Sequence, residues 1–223
     1  EQHEATSKDG TKIPYFVVRP KGAPNPATPT MMFGYGGFQV SYPPVYKPEL
    51  GKLWLERGGA IAVANIRGGG VLTTVSLTQH PELFNAVVIE SPLTDMLRYH
   101  ELPPGASWMG EYGDPRIPEE AAWIARYSAY QNLRPGADYP RVYITTNTRD
   151  DRVHPGHARK MAALMQSFGH PAEFYEETTG GHGGAGDLRA AALITPSATA
   201  VRGSGEHAPV LPSPAAMSSA VCC

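Results

Sequence analysis

Short apolar runs ending in glycine, alternating with stretches of helical spacing, constrain this chain more than any other feature. "TPTMMFGYGG" and "GGAIAVANIRGGG" are strand-like runs that close in glycine, and "NAVVIESP" opens with a further apolar run. Between and after them, "VLTTVSLTQHPELF", "EEAAWIARYSAY" and "HPGHARKMAALMQSFGH" carry helical spacing, the first with Val71, Leu72, Val75 and Leu83 as its expected apolar face. "RVYITTNTRDDRV" and "AEFYEETTGGHGG" read as strands running into polar or glycine-rich loops. Strands alternating with helices predict a mainly parallel sheet covered on both faces. The opening stretch differs. "ATSKDGTKIPYFVVRP" alternates polar and apolar residues on either side of Asp9-Gly10, which predicts an antiparallel hairpin.

Bulk properties narrow the function. A chain of 223 residues is long enough to bury a full core. Its formal charge of −2 offers no basic surface for nucleic acid, and no apolar run approaches membrane-span length. The first residues, "EQHEATSKDG", show neither an initiator Met nor a signal-peptide pattern, as expected of an internal piece of something longer. That reading favours the cytoplasm, with the periplasm as the alternative if a leader was removed upstream. The two cysteines, Cys222 and Cys223, cannot form a disulfide framework. Every Phe, Tyr and Trp precedes Asp187, and the residues beyond it are rich in Ala, Pro and Ser. Residues 1–194 are therefore expected to form the folded domain, closed by a short helix over 188–194. Residues 195–223 are expected to be a low-complexity, disordered tail.

In parallel sheets, functional residues gather in loops beyond the carboxyl ends of the strands. Three such loops stand out: "GYGGF", "TRDDRV" and "GGHGGAG". Asp150 follows one strand and His182 the next. An acid and then a histidine, each after a strand, form the second half of the Ser…Asp…His order of α/β-hydrolases. The chemistry calls for that pair because a carboxylate holds a neutral imidazole in the tautomer that accepts a hydroxyl proton. Taken singly, Asp150 reads as a helix N-cap or a solvated charge and His182 as an exposed loop residue; in order, they favour the catalytic reading. His154 and His157 are three apart, but with Pro155 between them and no third ligand at diagnostic spacing they do not suggest a metal site.

Several motifs resemble the catalytic domain of the prolyl oligopeptidases, a family of serine peptidases: Gly34-Tyr35-Gly36-Gly37-Phe38, "RGGAIAVANIRGGG", "ASWMGEYGDP", "TRDDRVHPGHARKMAALMQ" and "GGHGGAGD". They occur in the family's order over about residues 4 to 190. The resemblance implies an α/β-hydrolase-like fold, a mainly parallel sheet with helices on both faces, and cleavage after proline in short peptides. It implies no cofactor and no metal. It also implies a seven-bladed propeller domain, which would lie upstream and is absent from this sequence. Residue by residue, Asp150 and His182 match the triad acid and base, and Tyr35 the tyrosine whose hydroxyl helps stabilise the oxyanion. Trp108 matches the indole that stacks on the substrate proline. Phe38, Tyr112 and Val153 match residues of the proline pocket, and Arg152 the arginine that binds a substrate carbonyl. Without the resemblance, Trp108 and Phe38 read as ordinary core.

One departure dominates. Between its "IRGGG" loop and its "VLTT…HPELF" helix the family carries a helix, another strand and the nucleophile elbow "GGSNGG". Here "NIRGGGVLTTVSLTQHPELF" passes directly from one to the other, and no serine has glycine two residues before and two after. The fold is therefore expected to be incomplete, lacking the elbow strand and its preceding helix. The activity is expected to be lost, leaving a pseudoenzyme or a non-catalytic fragment that binds proline peptides; a weaker alternative is an esterase-like hydrolase with a relocated nucleophile. The vacated place in the sheet is expected to be taken by "AIAVANI", which now runs straight into the helix that once followed the elbow.

Overall fold

The computed structural model describes residues 1–23, 25–34, 45–65, 71–182 and 219–222. The expected hairpin is present. β1 (Gln2–Thr6) and β2 (Lys12–Val18) pair antiparallel, with Thr6 opposite Lys12. Asp9 accepts the Thr11 N–H at 3.0 Å, and Gly10 turns the chain at φ +82°. β3 (Thr30–Gly34) and β4 (Ala60–Ala64) follow, joined through α1 (Pro48–Leu53) and a 3-10 turn over Leu55–Arg57. The Gly58-Gly59 pair has a steric basis. Gly58 ends the turn in the left-handed region, and a Cβ on Gly59 would lie 2.5 Å from the Trp54 indole, whose N–H reaches the Ala60 carbonyl at 2.7 Å.

The second half alternates as the sequence predicts. α2 (Leu72–Gln79) precedes β5 (Ala86–Glu90). The short helix α3 (Met109–Tyr112), α4 (Pro118–Tyr127) and α5 (Ala129–Asn132) lie between β5 and β6 (Arg141–Asn147). α6 (Gly156–Ser167) leads to β7 (Ala172–Glu177). The single helix expected from "EEAAWIARYSAY" is broken at Ser128. Its backbone is extended there (ψ 105°), because its hydroxyl is drawn away to accept the Met96 N–H at 2.8 Å.

The buried face of α2 also differs from the apolar face read in the sequence. Thr73, Thr74, Leu77 and Thr78 are buried. The threonine hydroxyls satisfy themselves on the helix's own carbonyls, Thr74 to Val71 at 2.8 Å and Thr78 to Thr74 at 3.1 Å, so their methyl groups can face inward.

The sheet has eight strands in the order β1-β2-β4-β3-β8-β5-β6-β7. All neighbours from β4 to β7 run parallel. β4 does not take the vacated place. It lies between β2 and β3, antiparallel to one along Ile61–Ala64 and parallel to the other along all five residues. The gap between β3 and β5 is filled instead by β8 (Ser219–Cys222), from the segment expected to stay outside the fold. Moving β4 would strip the hairpin of its partner in the sheet among the described residues, and leaving the gap open would strand two rows of backbone N–H and C=O groups. A strand from elsewhere in the chain avoids both. The expected helix over 188–194 lies outside the described residues.

Alternation of side chains on the strands builds two cores on the sheet. Val87 and Ile89 of β5 and Val142 and Ile144 of β6 pack with Leu77, Ala158, Met161, Ala162 and Met165 of α2 and α6. Met31, Ile61 and Val63 pack beneath Leu50, Trp54 and Leu55 of the α1 region. A third cluster lies beyond β5 and belongs to the candidate site.

Two measurements test this architecture. Ile144 is fully buried at the centre of the larger core, so Ile144→Ala is expected to lower unfolding free energy by about 2–5 kcal/mol in urea titrations. Removing 219–223 is expected to speed amide exchange along Thr30–Phe33 and Ala86–Val87, the residues that face β8, by about tenfold or more. Exchange along Val142–Asn147 should be unchanged; unaltered exchange in β3 and β5 would show that β8 adds nothing to the sheet.

Candidate active site

Two adjacent parallel strands deliver the central pair. β6 and β7 pair from Val142↔Ala172 to Asn147↔Glu177, and one further bond, Thr148 N–H to the Glu177 carbonyl at 2.8 Å, holds their loops together where they leave the sheet. The β6 loop turns at once, with the Asp150 N–H bonded to the Asn147 carbonyl at 3.1 Å. The β7 loop is folded by Glu177. One carboxylate oxygen accepts the N–H groups of Thr178 (3.0 Å) and Thr179 (3.1 Å) and the Thr179 hydroxyl (2.7 Å). This compact turn brings His182 back over the β6 loop.

The His182 ring straddles the Asp150 carboxylate. Its Nδ1 lies 3.0 Å from Oδ1 and 2.9 Å from Oδ2. The Asp150 side chain is fully buried, whereas that of His182 is 35% exposed, so one side of the imidazole is fixed and the other is open. Oδ1 also accepts the N–H groups of Arg152 at 3.0 Å and Val153 at 2.8 Å. Burial pushes the Asp150 carboxyl up, but donation from His182, from the Val153 and Arg152 N–H groups and from the Ser91 hydroxyl outweighs it and holds the group below its ordinary 3.8. Asp150 is therefore a carboxylate at neutral pH and can only accept. It follows that Nδ1 of His182 carries a proton, and in a neutral imidazole Nε2 then presents the lone pair required of a general base. Asp150 does not cap α6: the cap position is Pro155, and no side chain caps the helix.

Beside this pair lies the third apolar cluster. Leu93, Met96, Tyr99, Tyr112, Ile124 and Val153 are buried in it, and Trp108, Met109 and Tyr127 pack against it half-exposed. Val153 ties the cluster to the Asp150 loop. Tyr99 meets Tyr112 edge to face at 5.9 Å, and the Tyr127 hydroxyl donates to the Tyr112 carbonyl at 3.2 Å. Burial first, and the nearby Asp114 and Glu120 charges second, push the Tyr99 hydroxyl up to about 12. It stays protonated and donates to the Gly113 carbonyl at 2.5 Å.

Of the residues singled out in the sequence, Asp150 meets His182, and Trp108, Tyr112 and Val153 share one cluster beside them. Arg152 is exposed next to the pair. Tyr35 and Phe38 lie outside the described residues. The nearby histidines are engaged through Nδ1, His154 by the Gly156 N–H at 3.0 Å and the buried His157 by the N–H groups of Thr94 and Asp95 at 3.3 and 3.2 Å. Sequence reasoning missed Glu177, for which the run Glu177-Thr178-Thr179-Gly180 carries a signal, an acceptor followed by loop residues.

The chain is similar to known proteins over most of its length. A family model described as "Prolyl oligopeptidase family" matches residues 68–194. An uncharacterised peptidase of Sinorhizobium fredii is 41% identical over a match covering 85% of this chain and 33% of that protein. A prolyl endopeptidase of Elizabethkingia miricola is 29% identical, covering 82% and 34%. Among solved structures, a post-proline cleaving enzyme from Rickettsia typhi superposes with a TM-score of 0.83 at 34% identity, over 91% of this chain and 37% of that one. The chain thus spans about a third of the length of the curated relatives it matches.

The Asp150 environment predicts a pH signature. A carboxyl held below its unfolded value adds stability above that value and loses it as pH falls through the folded one. The stability gap between the wild type and Asp150→Asn is therefore expected to narrow as pH is lowered from about 6 to about 3, measured by urea unfolding. A gap that does not change with pH would show that the carboxylate is not selectively stabilised.

Proposed function

We propose, given that this chain belongs to the prolyl oligopeptidase family, that it is a serine-peptidase domain by descent which holds proline-containing peptides without cleaving them. One observation carries this reading. The acid–base pair is assembled, with Asp150 on His182 at 2.9 Å, yet no serine stands in a Gly-x-Ser-x-Gly elbow. The alignment with the Sinorhizobium relative supports the second half. It runs over 239 positions while taking in 85% of a 223-residue chain, so the relative carries tens of residues that this chain lacks within the matched span.

In an active member of this chemistry, His182 would take the proton of a serine hydroxyl as it attacks the peptide carbonyl, and Asp150 would stabilise the imidazolium. Tyr35 would donate to the oxyanion. The Trp108 indole would lie flat against the substrate proline, with Phe38, Tyr112 and Val153 closing the pocket. Arg152, with its fixed fork of donors, would take a substrate carbonyl. Binding and oxyanion contacts do not depend on the serine, but the acyl-enzyme does. In serine proteases that lose a triad member, catalysis falls to about 10³–10⁴-fold over water.

Gly-Pro and Ala-Pro amide substrates test the reading directly. No release above buffer and no labelling by a fluorophosphonate probe are expected. Binding of a short proline peptide is expected to be weak, with Kd of about 1 mM, and to be lost in Trp108→Ala. Release that disappears in His182→Ala would overturn the proposal, because it requires a working base and a nucleophile; the probe-labelled residue would then identify that nucleophile.

A further inference from the structure

α3, with Trp108 at its cap position and Tyr112 as its last residue, cannot hold those two side chains by itself. It is one turn long, and no side chain caps its start. So short a helix has no stability of its own in water. Where the Trp108 indole and the Tyr112 ring stand is therefore decided by whatever grips the segment from outside.

α4 grips it. Glu120, Trp123 and Tyr127 fall at i, i+3 and i+7, on one face of that helix. In reverse order they meet three consecutive residues where α3 ends. A Glu120 carboxylate oxygen accepts the Asp114 N–H at 2.5 Å. The Trp123 ring lies so close to Gly113 that a Cβ there would stand 2.6 Å from it. The Tyr127 hydroxyl donates to the Tyr112 carbonyl at 3.2 Å, and its ring stacks on Trp123 with centroids 6.0 Å apart. The turn between the two helices is closed on Asp114, whose carboxylate accepts the Arg116 N–H and whose carbonyl accepts the Ile117 N–H, both at 3.0 Å. α4 is itself fixed. Ile124 is fully buried in the apolar cluster, and Ser128 beyond it accepts the Met96 N–H at 2.8 Å and donates to the Thr94 carbonyl at 3.2 Å.

We propose that α4 is a clamp on the candidate pocket, in which Glu120 and Tyr127 are positioning residues. Without touching a peptide they set where Trp108 and Tyr112 stand, and through them the affinity for proline. A helix that only covered the cluster would need Ile124 and the stacked rings. It would not need an acceptor and a donor aimed at backbone groups of one turn. The effect on affinity rests on the reading of Trp108 and Tyr112 as peptide contacts; the clamp on α3 does not.

The Trp108 indole N–H resonance and titration with a short proline peptide, both followed by NMR on the full chain, test it. Tyr127→Phe keeps the ring stack and loses the donor; Glu120→Ala loses the acceptor. Each is expected to shift the Trp108 resonance and to weaken peptide binding about fivefold, as for loss of one hydrogen bond. Glu120→Gln retains an acceptor oxygen and should restore both. Ile144→Val loosens the larger core, away from this cluster; it should lower stability and leave both unchanged, which separates positioning from a general loss of stability. A Trp108 resonance unmoved in Tyr127→Phe and Glu120→Ala overturns the clamp, and a shifted resonance with unchanged affinity overturns its link to binding. A wild type that binds no proline peptide removes the pocket reading instead, and the Trp108 resonance then still decides for or against the clamp.

Discussion

Parallel pairing of β5, β6 and β7 is the constraint on which the site depends. Parallel strands place their carboxyl ends on one edge of the sheet, so the loops after three consecutive neighbours open side by side. The register puts Glu90 beside Thr145 and Asn147 beside Glu177. Asp150 and His182 then need only short excursions to meet. The core beneath is made by Val87, Ile89, Val142 and Ile144, all buried, so a slip of one residue would turn this apolar set to the other face. Site geometry and core packing are thus fixed by the same register.

A buried polar cluster pins the β5 loop to the helices. His157 is pushed down to about 4 by burial, with Asp95 opposing and Lys160 and His154 adding to the shift, so it is neutral near pH 7 and its Nδ1 can accept two backbone N–H groups. Asp95 is fully buried and keeps two donors, Lys160 and Gln131. Such groups are costly to bury unless each finds its partner, and their value lies in allowing one arrangement only. Here that arrangement holds Leu93 and Met96 in the apolar cluster beside the Asp150 loop.

The other half of the sheet shows how backbone groups between two strands find a partner. Backbone groups on β3 and β5 demand partners whatever the side chains, and β8 supplies them along four residues of one and two of the other. β8 completes the ladder between β3 and β5, but a nucleophile elbow needs more than a ladder: a tight turn into a helix with the nucleophile at its apex. The Asp150–His182 contact is built entirely from the β6 and β7 loops, away from β3 and β8.

Local periodicity and turn chemistry were enough to determine the alternation of strands and helices, the opening hairpin, and the order acid-then-histidine after successive strands. Spacing along the chain was enough to determine that no serine stands in an elbow. Tertiary contacts decided the rest. The threonine-lined buried face of α2 was illegible because hydroxyls that satisfy their own helix look polar in a sequence and pack as apolar groups. The break at Ser128 depends on a donor 32 residues away, the Met96 N–H. The partner filling the gap beside β3 was illegible because strand pairing is set by whichever backbone is within reach, and not by local pattern. The left-handed backbone of Ser91 defies its own neighbour Pro92, and its N–H is held by the Thr145 carbonyl, distant in the chain.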